Sequence, residues 1–230
     1  MANKRAIICG VGPGNGMAIA RRFAAAGYDL ALLARDPKKL RAYAQELKGD
    51  GRKTKTVPAN FALIDEAEQR VKEAIRTLGG VDVLVYNASL YRAESWHDLE
   101  AADLMSEIAI GAVSAYAAFR AAGLRMRKEG KGGAIVATGG GSALHPEELK
   151  AAPGLAVAKG ALRNLVLSMH GQFADDGIHL STVTIDGAVK PGTFFDPERI
   201  AEAIFETAHR PRDRWTGEVL YTDARGSGAA

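Results

Sequence analysis

One cysteine, Cys9, is all this chain of 230 residues carries. A single thiol excludes an internal disulfide framework and a cysteine-rich metal site. Cys9 lies in the apolar run "AIICG", where a small core residue is the expectation rather than a nucleophile. The five histidines are dispersed without paired spacing, so no metal-ligand pair is expected. No nucleophile-elbow pattern occurs, which speaks against a Ser-His-Asp hydrolase. Charge of one sign is scarce too: 30 basic against 27 acidic side chains leave a net charge of +3. So small and scattered an excess predicts neither nucleic-acid nor membrane binding. No segment approaches the roughly 20 apolar residues of a membrane helix. The run after "MANKR" lacks a signal-peptide pattern, so a cytoplasmic protein is expected. No linker, repeat or low-complexity segment interrupts the chain.

What is present is apolar sequence in short runs. Hydrophobic residues make up 47% and charged residues 25%, enough for a sizeable core. The length suits one α/β domain, read here as residues 1–224 with 225–230 a flexible tail. "RAIICG", "DLALLA", "KTKTVPA", "VDVLVYNA", "GGAIVATGG", "IHLSTVTIDG" and "GEVLYT" read as strands. Between them lie amphipathic stretches predicting helices over Gly16–Ala26, Pro37–Leu47, Asp65–Leu78, Leu99–Arg127, Pro153–Phe173 and Pro197–Ala208. Asp36 before Pro37 is a cap followed by a first-turn proline. Strands alternating with helices imply parallel pairing through helical crossovers. The expected fold class is α/β: a doubly wound, Rossmann-type parallel sheet of about seven strands with helices on both faces. Such sheets bind ligands at the carboxyl ends of the strands, where strand order reverses.

The first strand runs into "GVGPGNGMAIARRFAAAG", with glycines at 10, 12, 14 and 16 before a helix. Residues without Cβ turn tightly and let the backbone approach a pyrophosphate, and the helix start offers free N–H groups and a positive dipole end. Gly10, Gly12, Pro13, Gly14, Asn15, Gly16 and Met17 are therefore candidate cofactor contacts. The second strand ends in "LLARD". Arg35 suits the 2′-phosphate of NADP, while Asp36 serves the next helix, so NADP is expected before NAD.

The spacing Gly10-x-x-x-Gly14-x-Gly16 resembles the short-chain dehydrogenase/reductase family, and the resemblance runs from Lys4 to about Thr222. It implies an oxidoreductase with a small-molecule substrate, assembled as a homodimer or homotetramer through the helices at 99–127 and 153–173. Asn60 and Phe61 fall near the adenine place. Tyr86-Asn87-Ala88-Ser89 stands where that family has Asn-Asn-Ala-Gly, so Asn87, Ala88 and Ser89 would line the cleft. Thr138, Gly187 and Val189 would meet the nicotinamide end, Val189 through its backbone. Such enzymes use Asn, Ser, Tyr and Lys. Lys159 keeps the lysine place, where it would hold the nicotinamide ribose. Leu155 occupies the tyrosine place, and Ile108 the asparagine place three residues before Gly111. Ser142 is the candidate serine by counting back from Leu155, although strand alignment points to Gly140.

A leucine can neither donate a proton nor stabilise an oxyanion. Tyr91 is the candidate replacement acid; Tyr86 and His145 are others, with packing and a solvated loop as their competing roles. Asp186 replaces a proline in the segment after the sixth strand, as a relay or as a turn residue. Phe194 and Phe195 would cover an apolar ligand or pack on the last helix. Two functions stay open: an NADP-dependent oxidoreductase with a non-standard acid, and a non-catalytic NADP(H)-binding sensor or assembly protein.

Overall fold

The computed structural model describes residues 4–48 and 52–223. Seven strands form one sheet: β1 (Arg5–Cys9), β2 (Asp29–Ala34), β3 (Thr54–Pro58), β4 (Val83–Tyr86), β5 (Gly133–Gly140), β6 (Ile178–Ile185) and β7 (Glu218–Tyr221). Their spatial order is β3-β2-β1-β4-β5-β6-β7, and every pairing is parallel. The order reverses between β1 and β4, which places a crevice at their carboxyl ends. The expected doubly wound sheet of seven strands is what the chain forms. The flexible tail expected at 225–230 lies outside the described residues.

The helices are α1 (Asn15–Ala25), α2 (Pro37–Glu46), α3 (Ile64–Leu78), α4 (Ala101–Ile108), α5 (Ser114–Glu129), α6 (Pro153–Asp175) and α7 (Pro197–Ala208). They cover both faces. Ile19 and Phe23 of α1, Leu40 of α2 and Ile200 and Ile204 of α7 pack on one side of the sheet. Val71 of α3, Phe119 of α5 and Leu162 and Val166 of α6 pack on the other. Cys9 is fully buried in the second of these layers, and that burial pushes its thiol well above its usual range. A thiol so placed is inert, as expected of a core residue.

Helix starts follow their caps. The Asp36 carboxylate accepts from the N–H groups of Lys38 and Lys39 at 2.8 and 3.2 Å. Asp196 does the same for α7, accepting from Glu198 N–H at 2.9 Å, and its other oxygen accepts from Gly192 N–H at 2.6 Å.

Two expectations need correction in the central helix. It begins at Ala101 rather than Leu99, because Leu99 N–H closes a turn onto Ser95 and Glu100 is extended. It is also not regular throughout: Ala109–Val113 form a π-helical turn between α4 and α5. Gly111 sits in that turn against α6, where a Cβ would stand 2.7 Å from the Ala158 Cβ. The widened turn and the close approach occur together, and π-turns of this kind cluster at functional sites. Contrary to the sequence reading, the continuous helix Ala101–Glu129 is long and apolar enough to cross a membrane by length and composition. Just over half of its apolar window is buried inside this fold, against the sheet and α6, as suits a core helix.

Candidate functional site

The crevice at the carboxyl ends of β1 and β4 is a cavity of about 310 Å³ whose floor is the glycine loop. Gly10 turns the chain out of β1 at φ +83°, and a Cβ there would overlap the backbone of Ala88. Gly12 and Gly14 have open space where a Cβ would stand, so the backbone is bare toward the crevice. α1 starts without a side-chain cap and with no acidic residue in its first turn. Its first N–H groups are thus left to an anion. Asn87 ties this end together: its N–H donates to Cys9 C=O, and its Nδ2 donates to Gly10 C=O at 2.8 Å. Gly10, Gly12, Gly14, Asn15, Gly16, Asn87, Ala88 and Ser89 all line the cavity.

Arg35, Asn60 and Phe61 line its outer end. Arg35 is exposed and has no ion pair among the described residues. Asp36 is committed to its cap, and those backbone N–H groups, Lys39 first, hold its carboxyl below the usual range. The Asn60 side-chain oxygen accepts from Ala62 N–H at 3.1 Å. Phe61 is 4% exposed and meets Tyr86 edge-on at 5.5 Å.

A second cavity, also about 310 Å³, continues from the first through Asn15, Asn87 and Ser89 toward α6. Thr138, Gly140, Gly141 and Ser142 of β5 and the turn after it, Leu155 and Lys159 of α6, and Gly187 and Val189 beyond β6 line it. The Lys159 ammonium donates to Thr138 C=O at 2.7 Å. Lys159 is 9% exposed, and burial lowers its pKa from 10.5 to about 8. Two oxygens in this cleft are buried without a hydrogen-bond partner, Asn15 Oδ1 and Thr138 Oγ1. A bare glycine cradle and a free arginine donate to phosphates, and the orphaned Asn15 Oδ1 and Thr138 Oγ1 await hydroxyl or amide partners, a set suited to a phosphorylated dinucleotide.

Several sequence candidates lie elsewhere. Tyr91 is 60% exposed and lines neither cavity, because it falls on the outward side of the loop leaving β4. Tyr86 is fully buried and donates to Ile110 C=O at 2.6 Å; burial raises its pKa well above 10. His145 is exposed and also lines neither. Pro13 is exposed, and the Met17 side chain is in the core at 1% exposure, so any contact of Met17 is through its backbone. Phe194 stacks on Tyr221 at 4.8 Å, and Phe195 packs against Gly187 and Tyr221 rather than over the cleft.

Two carboxylates near the site were not foreseen in these positions. Glu107 on α4 is 2% exposed and presses on α6, where a Cβ on Gly154 would overlap Glu107 Oε2 and come within 2.7 Å of its Cδ. Glu107 Oε2 and Glu94 Oε2 are both buried without partners. Burial first, then the Glu94 charge, raises the pKa of Glu107. Outside them, Arg92 pairs with Asp103 and stands 3.9 Å from Glu94. The sequence signal was an acidic residue just before Ile108 together with a glycine just before Leu155. Asp186 stands against Gly141, where an added Cβ would overlap its Oδ1, so its carboxylate borders the Ser142 turn.

Comparison with known proteins agrees with this geometry. The family model described as short chain dehydrogenase matches residues 4–194. A short-chain dehydrogenase/reductase of Armillaria gallica is 30% identical over 178 residues, 76% of this chain and 67% of that protein. A glucose 1-dehydrogenase of Gluconobacter oxydans is 27% identical, covering 96% and 91%. A short chain dehydrogenase from Burkholderia cenocepacia J2315, solved in complex with NADP, superposes with a TM-score of 0.84 at 25% identity, covering 94% of this chain and 95% of that one. With a parallel sheet that reverses at β1 and β4, a glycine loop at the reversal and a lysine of α6 facing the same cleft, the chain belongs to the short-chain dehydrogenase family.

Proposed function

We propose that the protein is an NADP-dependent oxidoreductase that interconverts a small carbonyl, alcohol or enone by a proton donor other than the family tyrosine. The observation that carries this reading is Lys159: a buried ammonium in a cavity continuous with the glycine-loop crevice. The glycine loop and the α1 start would hold the pyrophosphate. Arg35 would hold the 2′-phosphate, Asn87 to Ser89 the central part of the cofactor, and Lys159, Gly187 and Val189 the nicotinamide end. When bound, the nicotinamide supplies or accepts a hydride. The chain's own groups do the rest: Ser142 polarises the substrate oxygen, and Leu149, Leu155, Ile185 and Val189 give that cavity an apolar wall.

Titration with NADPH and NADH, followed by nucleotide fluorescence, tests the foundation. NADPH should bind more tightly, and Arg35→Asp should weaken it about 10–100-fold, the size of a charge-assisted hydrogen bond, while leaving NADH binding unchanged. Equal affinity for both nucleotides would overturn the NADP assignment. A second reading is a non-catalytic NADP(H)-binding protein, a sensor or assembly partner. Leu155 and Ile108, read as standing at the family's acid and asparagine places, favour it. Tight NADPH binding with no oxidation of NADPH across a panel of small carbonyls and enones would select it.

A homo-oligomer belongs to the same proposal. α5 and α6 leave Tyr116, Leu124, Val157 and Leu167 exposed, apolar surface that a second copy would cover.

A further inference from the structure

The cavity around Lys159 contains no conventional acid. No tyrosine, histidine, cysteine, aspartate or glutamate is among its lining residues. The hydroxyls of Ser89, Thr138 and Ser142 and the amides of Asn15 and Asn87 do not ionise near neutrality. Tyr91 and His145 lie outside, and Tyr86 is sealed in the core by its bond to Ile110. The Asp186 carboxylate stands behind Gly141 and is not among the lining residues, which leaves Lys159 as the one lining group with a transferable proton. The Lys159 ammonium commits one N–H to Thr138 C=O and makes no other hydrogen bond and no ion pair among the described residues. Leu155, one helical turn earlier, lines the same cavity and puts only an aliphatic wall beside it.

We infer that Lys159 is itself the proton donor to the substrate oxygen, the task that the family resemblance assigns to a tyrosine. This inference rests on the oxidoreductase reading above. In reduction, the carbonyl carbon receives the hydride supplied by the reduced nicotinamide, and the C=O π pair moves onto oxygen. That oxygen takes a proton from Nζ: one N–H bond breaks, one O–H bond forms, and Lys159 is left as the neutral amine. Water at the open mouth of the cleft restores the proton. In alcohol oxidation the neutral amine accepts the hydroxyl proton. Burial without a carboxylate partner brings the ammonium into the range where a general acid works well near neutral pH.

Two readouts test it. The first needs no turnover. With NADP⁺ bound, the labelled lysine Cε resonances are followed against pH by NMR. One resonance should titrate near pH 8, against 10.5 for an ordinary lysine, and vanish in Lys159→Met. A Lys159 resonance titrating at the ordinary value would overturn the inference. The second is NADPH oxidation by diacetyl, benzaldehyde and cyclohexenone under single-turnover conditions. The rate should fall as pH rises through the value found by NMR. Lys159→Arg keeps the charge but not the transferable proton, and should lower the rate about 100-fold or more while NADPH still binds by fluorescence. An Arg variant with an unchanged rate, or a flat pH profile with robust wild-type oxidation, removes Lys159 as donor and leaves the oxidoreductase reading standing. Binding without oxidation of NADPH by any probe sinks both.

Discussion

The two ends of the cleft are made of different material. At the β1 end the site is backbone: bare glycines, the uncapped start of α1, and carbonyls tied by Asn87. At the α6 end it is side chains: Lys159 held on Thr138, Leu155 beside it, and Glu107 wedged behind Gly154. A backbone site depends on where the chain turns, and one side chain can spoil it only by blocking the turn. A side-chain site can exchange its chemistry while the fold stays the same. On the proposed reading, backbone recognises the pyrophosphate end of the cofactor and side chains choose the reaction.

The sharpest way to break the comparison is Gly10→Val. A side chain at φ +83° costs about 1–2 kcal/mol, and overlap with the Ala88 backbone adds a comparable amount. A loss of about 3 kcal/mol in urea unfolding is expected, with NADPH fluorescence binding abolished. An unchanged midpoint would show that this end also adapts.

Lys159→Met should act in the opposite sense on stability. The folded-state pKa of the amine is lowered from 10.5 to about 8, so the folded state binds its proton less well than the unfolded chain does. The cost is fully present below pH 8 and disappears above pH 10.5. A drop from 10.5 to about 8 corresponds to about 3 kcal/mol. The lost bond to Thr138 returns about 1 kcal/mol. The variant should be more stable by about 2 kcal/mol at pH 7, with the difference reversed at pH 10.5. Equal stabilities at pH 7 would mean that the ammonium is not held at a cost.

Gly154→Ala pushes a methyl group into the Glu107 carboxylate and should cost about 1–3 kcal/mol. The double variant with Glu107→Ala should recover most of it, a coupling that independent sites would not show. Glu107→Gln probes the same wedge by pH. With its folded-state pKa raised, Glu107 contributes stability at low pH that is lost as pH climbs through that raised value. The glutamine variant should give a flatter stability profile there.

Smallest is Asp36→Ala, which removes the α2 cap and should lower the unfolding midpoint slightly while leaving the preference for NADPH over NADH untouched. A shift in that preference would mean that Asp36 takes part in nucleotide selection.

The backbone end was legible in the sequence because its signals are local. Glycine spacing, the Asp36-Pro37 start and short apolar runs each declare themselves within a few residues. The α6 end was legible only in part. Lys159, Ser142 and Leu155 share a cavity as their spacing suggested. Tyr91 did not follow, since position after a strand does not say to which side a loop residue turns. The π-turn and the Glu107–Gly154 contact went unread because each depends on what another helix presents across the seam. Phe194 and Phe195 went to Tyr221 rather than to the ligand, since β7 offered them an aromatic neighbour that lies 26 and 27 residues further along.

The wedge of Glu107 against Gly154 also restricts the protein's history. A side chain enters position 154 only if the Glu107 carboxylate moves aside, and a shorter residue at 107 leaves unfilled space beside the first turn of α6. A change at 154 alone passes through a destabilised intermediate, so substitutions there should come with a change at 107 among descendants of this chain. Selection acting on one of them is, in effect, acting on both.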